Sequence, residues 1–274
     1  MLTDYHVHLR PDDPDTPPQR YFTADNVQRY LEAAEREGIS ELGVSEHIHR
    51  FTEALTIWDH PFWRTNATDE LAEYCEFVRS TPLRLGIEMD YVPGREDRIA
   101  AVLDRYELDY VVGSVHFLSE GAVDDPDFDV WRCDGDPDRV WARYFETLVE
   151  AVRTGLYDIL AHPDLVKYWG DDRPQPRRDP RFHYEPVIEA IAEVGIAVEV
   201  STAGWRKPVG ELYPSDAFAE MCLDAGAVFS LSSDAHVPEQ IGYEYERAVE
   251  TMRGWGVTEV AVFEGRKRRL EPLG

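Results

Sequence analysis

The 274-residue sequence predicts an α/β fold assembled from seven strand-helix units around a parallel sheet. Three observations predict it. Short β-branched and aliphatic runs alternate with longer amphipathic stretches from end to end. Helix-start residues and helix-end glycines punctuate that alternation. The length suits one large domain, and α/β barrels commonly reach this size as a single unit.

The elements follow in order. Strands are expected over 3–8, 41–46, 84–89, 109–115, 157–161, 196–200 and 227–232. The helices between and after them fall over 25–37, 67–79, 94–104, 137–153, 183–194, 215–225 and 239–253. Asp25, Asp97, Asp138 and Ser215 stand where a polar side chain aids a helix start, and Gly38, Gly155, Gly195 and Gly226 follow helix ends. The run TEVAVF at 258–263 supplies an eighth strand or covers an edge. Stretches 11–18, 124–138 and 171–180, rich in Pro and Asp, read as loops, because the alternation resumes after each. No tandem repeat or low-complexity tail interrupts the chain, so a single domain over 1–274 is expected. Periodicity alone is equally compatible with a closed barrel and an open doubly wound sheet.

Composition narrows the function classes. The chain carries 28 basic and 54 acidic residues, a formal charge of -26, which repels polyanions over most of the surface. Nucleic acid and anionic membranes are thereby excluded as broad-surface partners. The N-terminus MLTDYHVHLR shows no secretory pattern, and no apolar run reaches transmembrane length. Cys75, Cys133 and Cys222 are few, odd in number and widely spaced, unlike a disulfide framework. A cytoplasmic protein is the expectation, with oligomeric state open.

Chemistry collects at the strand ends. Six of the nine histidines sit at or just beyond a strand's C-terminal end: His6 and His8 in DYHVH, His47 in GVSEH, His116 in VVGSVHF, His162 in DILAHPD and His236 in LSSDAH. Glu88 closes the third strand in LGIEMD, and Asp234 accompanies His236. Each element alone is weak, since an HxH pair also occurs as a hydrogen-bonding feature and a lone acid as a cap or salt-bridge partner. Together they converge on the rim where α/β barrels gather active sites. Imidazole and carboxylate suit Zn, Fe or Mn, and a carboxylate bridges two cations through its two oxygens.

The ordered set DYHVH, SEH, GIEMD, GSVHF, AHPD, EVSTAG and SSDAH resembles the histidinol-phosphatase branch of the PHP (polymerase and histidinol phosphatase) superfamily through nearly the whole chain. The resemblance implies a distorted seven-stranded β/α barrel holding up to three divalent transition-metal ions. It assigns His6, His8, Glu88 and Asp234 to one metal, with Glu88 bridging to a second that also takes His116 and His162. A third takes His47, His236 and a first-loop residue. Many relatives place a histidine there, whereas this loop reads LRPDDPD. Asp12 is the replacement candidate, ahead of Asp13 and Asp15. His49, His60 and His183 fall outside the matched positions, and Glu46 is a candidate to orient a ligand.

The activity so implied is hydrolysis of L-histidinol phosphate to L-histidinol and inorganic phosphate in histidine biosynthesis, by a metal-bridging hydroxide without a Cys or Ser nucleophile. Another PHP phosphoesterase, acting on a different small ester or a nucleotide, is the first alternative. A noncatalytic polymerase-associated module and an amidohydrolase-like enzyme are more distant ones. Lys167 and Arg206 resemble basic phosphate contacts of histidinol phosphatases. Asp90, two residues beyond Glu88 on the same strand face, is a candidate for the substrate's amine. Tyr91, Phe117 and Trp205 are candidates to contact its imidazole.

Overall fold

The computed structural model describes residues 1–12, 16–119 and 121–274. In chain order the elements are β1 (Thr3–Asp4), α1 (Ala24–Arg36), β2 (Glu41–Val44), α2 (Pro61–Asn66), α3 (Leu71–Arg79), β3 (Arg84–Asp90), α4 (Glu96–Leu103) and β4 (Tyr110–Ser114). They continue with β5 (Phe117–Leu118), β6 (Gly121–Ala122), α5 (Val130–Cys133), α6 (Pro137–Arg153), β7 (Ile159–Leu160), α7 (Arg181–Val194) and β8 (Ala197–Ser201). The last are α8 (Asp216–Asp224), β9 (Phe229–Ser232), α9 (Tyr245–Trp255), β10 (Glu259–Glu264) and β11 (Lys267–Pro272).

Seven strands, β1, β2, β3, β4, β7, β8 and β9, lie side by side in parallel in that order. Beyond the strand ends the order returns on itself. Val7 bridges Ala235 in parallel, His8 N donates to Ala235 O at 2.8 Å, and Ala235 N donates to His6 O at 3.2 Å. An open doubly wound sheet would leave β1 and β9 at opposite edges, so these bonds favour the distorted barrel. Buried Asp4 reinforces the seam, accepting from Ser233 N at 2.9 Å and Ser233 Oγ at 2.5 Å. The run expected at 258–263 forms β10, which touches β9 through one parallel pair and then turns into an antiparallel hairpin with β11.

The barrel interior is filled by Tyr5, Tyr110, Val112, Ile159, Ala197 and Phe263 among others, with the Tyr5 and Tyr110 rings 4.9 Å apart. Tyr110 fits because β2 and β3 present glycines to it. A Cβ at Gly43 or Gly86 would come within 2.4 Å of the Tyr110 side chain. Outside, the helices bury regular stripes against the sheet. In α6 the stripe is Val140, Trp141, Tyr144, Phe145, Leu148 and Val152. Each such side chain contributes roughly 1.5–3 kcal/mol by leaving water.

Boundaries move where polar groups intervene. The helix expected over 67–79 begins only at Leu71, as α3, and the short α2 that precedes it was not expected. Between them the backbone at Asp69 bridges Phe51, and its carboxylate takes Arg10 Nη1 at 3.0 Å and Tyr21 OH at 2.6 Å. The helix expected from 239 starts at Tyr245, because Gly242 and Glu244 adopt left-handed backbone at φ +63° and +54°. Thr23, rather than Asp25, caps α1 by accepting from Asn26 N at 3.2 Å, while Asp25 sits in the first turn and complements the helix dipole. None of the described helices is long and apolar enough to cross a membrane.

Candidate metal centre

The parallel strands deliver their C-terminal ends to one rim, and Glu88 near the end of β3 lies at its centre. One Glu88 oxygen, Oε2, lies 3.3 Å from His6 Nε2, 3.7 Å from His8 Nε2 and in close contact with His47 Nδ1. The other, Oε1, lies 3.3 Å from His162 Nε2 and 3.5 Å from His116 Nε2. Asp234 Oδ1 closes the first group at 3.7 Å from His6 Nε2 and 3.4 Å from His8 Nε2. The two oxygens of one buried carboxylate therefore face two different sets of imidazoles, as a bridging ligand requires.

The donor set fits divalent cations. His6 Nε2, His8 Nε2, His47 Nδ1, Glu88 Oε2 and Asp234 Oδ1 are buried without a hydrogen-bond partner. Orphaned polar atoms of this kind are costly, and here they cluster on a common point. Their ring partners set the tautomer. His6 Nδ1 donates to Glu199 Oε1 at 2.8 Å, and His116 Nδ1 donates to Asp90 Oδ1 at 2.6 Å, leaving each Nε2 lone pair for a metal. Glu199 also accepts from His162 N at 2.6 Å, so one carboxylate in β8 fixes two ligands. Glu46 accepts from Leu9 N at 2.6 Å and Arg10 N at 3.0 Å and stands 3.8 Å from His8 Nδ1.

Electrostatics carry the same signature. Burial alone would push the carboxyl of Glu88 up, but His47, His6 and His116 hold it well below its usual range. Asp234 is likewise pulled well down against burial by His6, His8 and His236. In the opposite sense, burial disfavours the His116 imidazolium, yet Asp90 and Asp124 raise it to about 10. A cation entering this nest displaces protons that the carboxylates otherwise hold on the rings.

The third group is built differently. His47 Nε2 and His236 Nε2 lie 3.4 Å apart, and His8, His47 and His236 offer nitrogens within 4.8 Å of one another. Asp12 Oδ1 reaches His236 Nε2 at 3.2 Å, so the structure brings Asp12 to this group, while its side chain stays 73% exposed. The same oxygen accepts from Arg50 Nη2 at 2.9 Å. Asp13 and Asp15 lie outside the described residues.

A cavity of about 300 Å³ opens over the cluster, and its lining includes some of the expected substrate contacts and not others. Lys167 is not part of it. Buried at 6% exposure, it donates to Leu212 O at 2.7 Å and pairs with Asp164 at 3.0 Å and Glu211 at 3.2 Å. Arg206 is also absent from the lining. It donates to the carbonyls of Ser233 and, at 3.1 Å, Asp234, bracing a turn in which Asp234 holds φ +51°. Asp90 is buried behind His116, which it orients. Of the aromatics, Phe117 lines the cavity, whereas Tyr91 bonds Glu96 at 2.6 Å and Trp205 packs on Arg247 at 4.0 Å. His49 lines it too. His183 packs beside Phe145 far along the chain from this rim, and His60 stacks on Trp58.

The residues that do face the cavity include Lys207, Asp124, Phe62 and Tyr168. Asp124 is pushed up by burial, against the opposing pull of His116, His162 and Lys207. Lys207 stands one position beyond Arg206. Only the adjacency of two cations marked it in the sequence.

The PHP domain family model matches residues 21–203. A protein of Deinococcus radiodurans named probable histidinol-phosphatase is 32% identical over 279 residues, covering 99% of each chain. The histidinol-phosphatase of Bacillus subtilis is 25% identical over 270 residues, covering 90% of this chain and 98% of its own. A crystal structure of histidinol phosphate phosphatase from Lactococcus lactis, complexed with zinc, L-histidinol and phosphate, superposes with a TM-score of 0.76 at 20% identity over 98% of both chains. A crystal structure from Listeria monocytogenes gives 0.73 at 20% identity over 89% of this chain and 99% of that one.

Proposed function

Because the chain belongs to the PHP domain family, we propose that it hydrolyses L-histidinol phosphate to L-histidinol and inorganic phosphate, the chemistry its histidinol-phosphatase relatives are named for. The observation that carries the proposal is the pair of imidazole sets facing the two oxygens of Glu88 on the floor of a small cavity. In this reading His6, His8, Glu88 and Asp234 would hold one cation, Glu88, His116 and His162 a second, and His47, His236 and Asp12 a third. Zn, Mn or Fe suits such a set. Bound there, the cations supply charge neutralisation for the phosphoryl oxygens and a water made acidic enough to ionise near neutral pH.

The chain's own groups then divide the substrate. Glu199 and Asp90 keep the ligating rings in one tautomer. Lys207 adds a compact positive charge at the cavity wall for the phosphate, which an acidic protein otherwise repels. Asp124 offers a carboxylate for the ammonium group, and Phe62 and Phe117 offer apolar faces for the imidazole. A cavity of about 300 Å³ suits a small monoester, at the lower end of ligand sites. We place the reaction in the cytoplasm, as a step of histidine biosynthesis, where free Cys75, Cys133 and Cys222 stay reduced.

A panel of phosphate esters presented to metal-loaded protein tests the assignment. Turnover of L-histidinol phosphate should exceed that of nucleotides and sugar phosphates. Rapid release from one of those, with negligible turnover of L-histidinol phosphate, would overturn it in favour of another PHP phosphoesterase.

A further inference from the structure

The three groups of ligands differ in charge. The first two share Glu88, the first also has Asp234, and among the described residues no Lys or Arg side chain pairs with either carboxylate. The third has two imidazoles and Asp12, whose Oδ1 already accepts from Arg50 Nη2 at 2.9 Å. Arg50 is itself buried at 3% exposure and cannot swing away freely. Its other terminal nitrogen, Nη1, donates to Glu46 Oε2 at 2.6 Å and to Arg10 O at 2.7 Å. The guanidinium fork thus straps the first loop to the carboxylate behind His8 and delivers a full positive charge beside the third group.

Resting on the metal-phosphatase reading above, we infer that Arg50 makes the third site a weak, exchangeable one in this chain, filled according to the ambient metal supply while the two sites on Glu88 stay loaded. Two effects act in the same direction. A carboxylate oxygen shared with a guanidinium gives less negative charge to a cation, and the guanidinium repels that cation directly. The third group's one ligating carboxylate is thus shared with a guanidinium that also pairs with Glu46, whereas the Glu88 and Asp234 carboxylates have, among the described residues, no Lys or Arg partner. Asp12 is also largely exposed, so water competes for it.

The experiment is metal content by elemental analysis after equilibration against a graded series of chelator, using the full chain loaded with Zn. One equivalent should leave at a free-metal level about tenfold or more above that which strips the other two, the scale on which groups contacting ligands alter metal affinity. Arg50→Lys should tighten that equivalent by a similar factor, because a single ammonium can stay on Glu46 without forking to Asp12. Asp12→Asn, a change on an exposed loop side chain, should abolish it and leave two. Simultaneous loss of all three from the wild type would overturn the inference, as would three equivalents retained with unchanged affinity in Asp12→Asn. Unchanged or weaker third-site binding in a folded Arg50→Lys protein would remove Arg50 from the account. These readouts are independent of turnover, so a protein that binds metals as described yet ignores L-histidinol phosphate would sink the substrate reading and leave this one standing.

Discussion

The floor and the wall of the cavity are made by different rules. On the floor, ligands come from strand ends and are largely buried, and two of the rings are held from behind by a carboxylate, His6 by Glu199 and His116 by Asp90, with Glu46 standing 3.8 Å from His8 Nδ1. On the wall, Asp12, Asp124 and Lys207 come from loops. Strand ends are positioned by the barrel's hydrogen-bond register, so a ligand there is fixed by the whole fold. Loop residues are fixed by local partners, and a neighbouring cation can be recruited elsewhere, as Lys167 and Arg206 are.

The largest break in that contrast is Glu88→Gln. It should reduce turnover about a thousandfold or more and lower metal content, since the cations supply several kcal/mol of transition-state stabilisation. Elemental analysis beside a kinetic assay checks it, and wild-type metal content would count against the bridging role. Glu199→Ala tests the backing layer. It touches no cavity surface, yet it should weaken metal retention about 10–100-fold by freeing the ring of His6 and the backbone N–H of His162. Competition with a chelator gives the number.

The wall should respond more mildly and in KM. Lys207→Ala is expected to raise KM and the inhibition constant of phosphate about tenfold, the effect of one charge-assisted contact. Lys167→Ala should instead leave KM near its original value and lower thermal stability, because it removes the cation beside buried Asp164. Swapped outcomes for the two lysines would restore the phosphate role first expected of Lys167.

The smallest effect is a pH dependence of the first-loop anchor. Burial would raise the Glu46 carboxyl, but Arg50, His8 and the Arg10 amide bring it from 4.5 to about 2. Depressed in the folded state, it contributes stability that is complete above about pH 4.5 and is lost as pH falls toward about 2. The stability advantage of wild type over Glu46→Gln, measured by denaturant unfolding of metal-free protein, should shrink across that window and stay level above it.

Legibility in the sequence follows the same division. The seven parallel strands announce themselves as apolar runs, and their terminal residues follow by counting, which is how His6, His8, His47, Glu88, His116, His162, Asp234 and His236 came to be grouped. Glu199 was missed although AVEVS places a lone acid inside an otherwise apolar strand, a pattern that signals a buried, partnered charge. Lys167 and Arg206 were expected at the rim, but sequence gives no side-chain direction in a loop, and of these neighbouring cations it is Lys207 that lines the cavity. The β5–β6 hairpin, with two residues in each strand, is too short to leave a periodic signal, and β11 is exposed and basic where an edge strand was not expected.

The central claim is that the cluster around Glu88 is the catalytic centre of a metal-dependent phosphatase. It is tested most directly by removing metal with a chelator, verifying the loss by elemental analysis, and assaying L-histidinol phosphate before and after adding back Zn or Mn. Activity should disappear with the metal and return with it. Undiminished phosphate release by protein verified as metal-free would contradict the account.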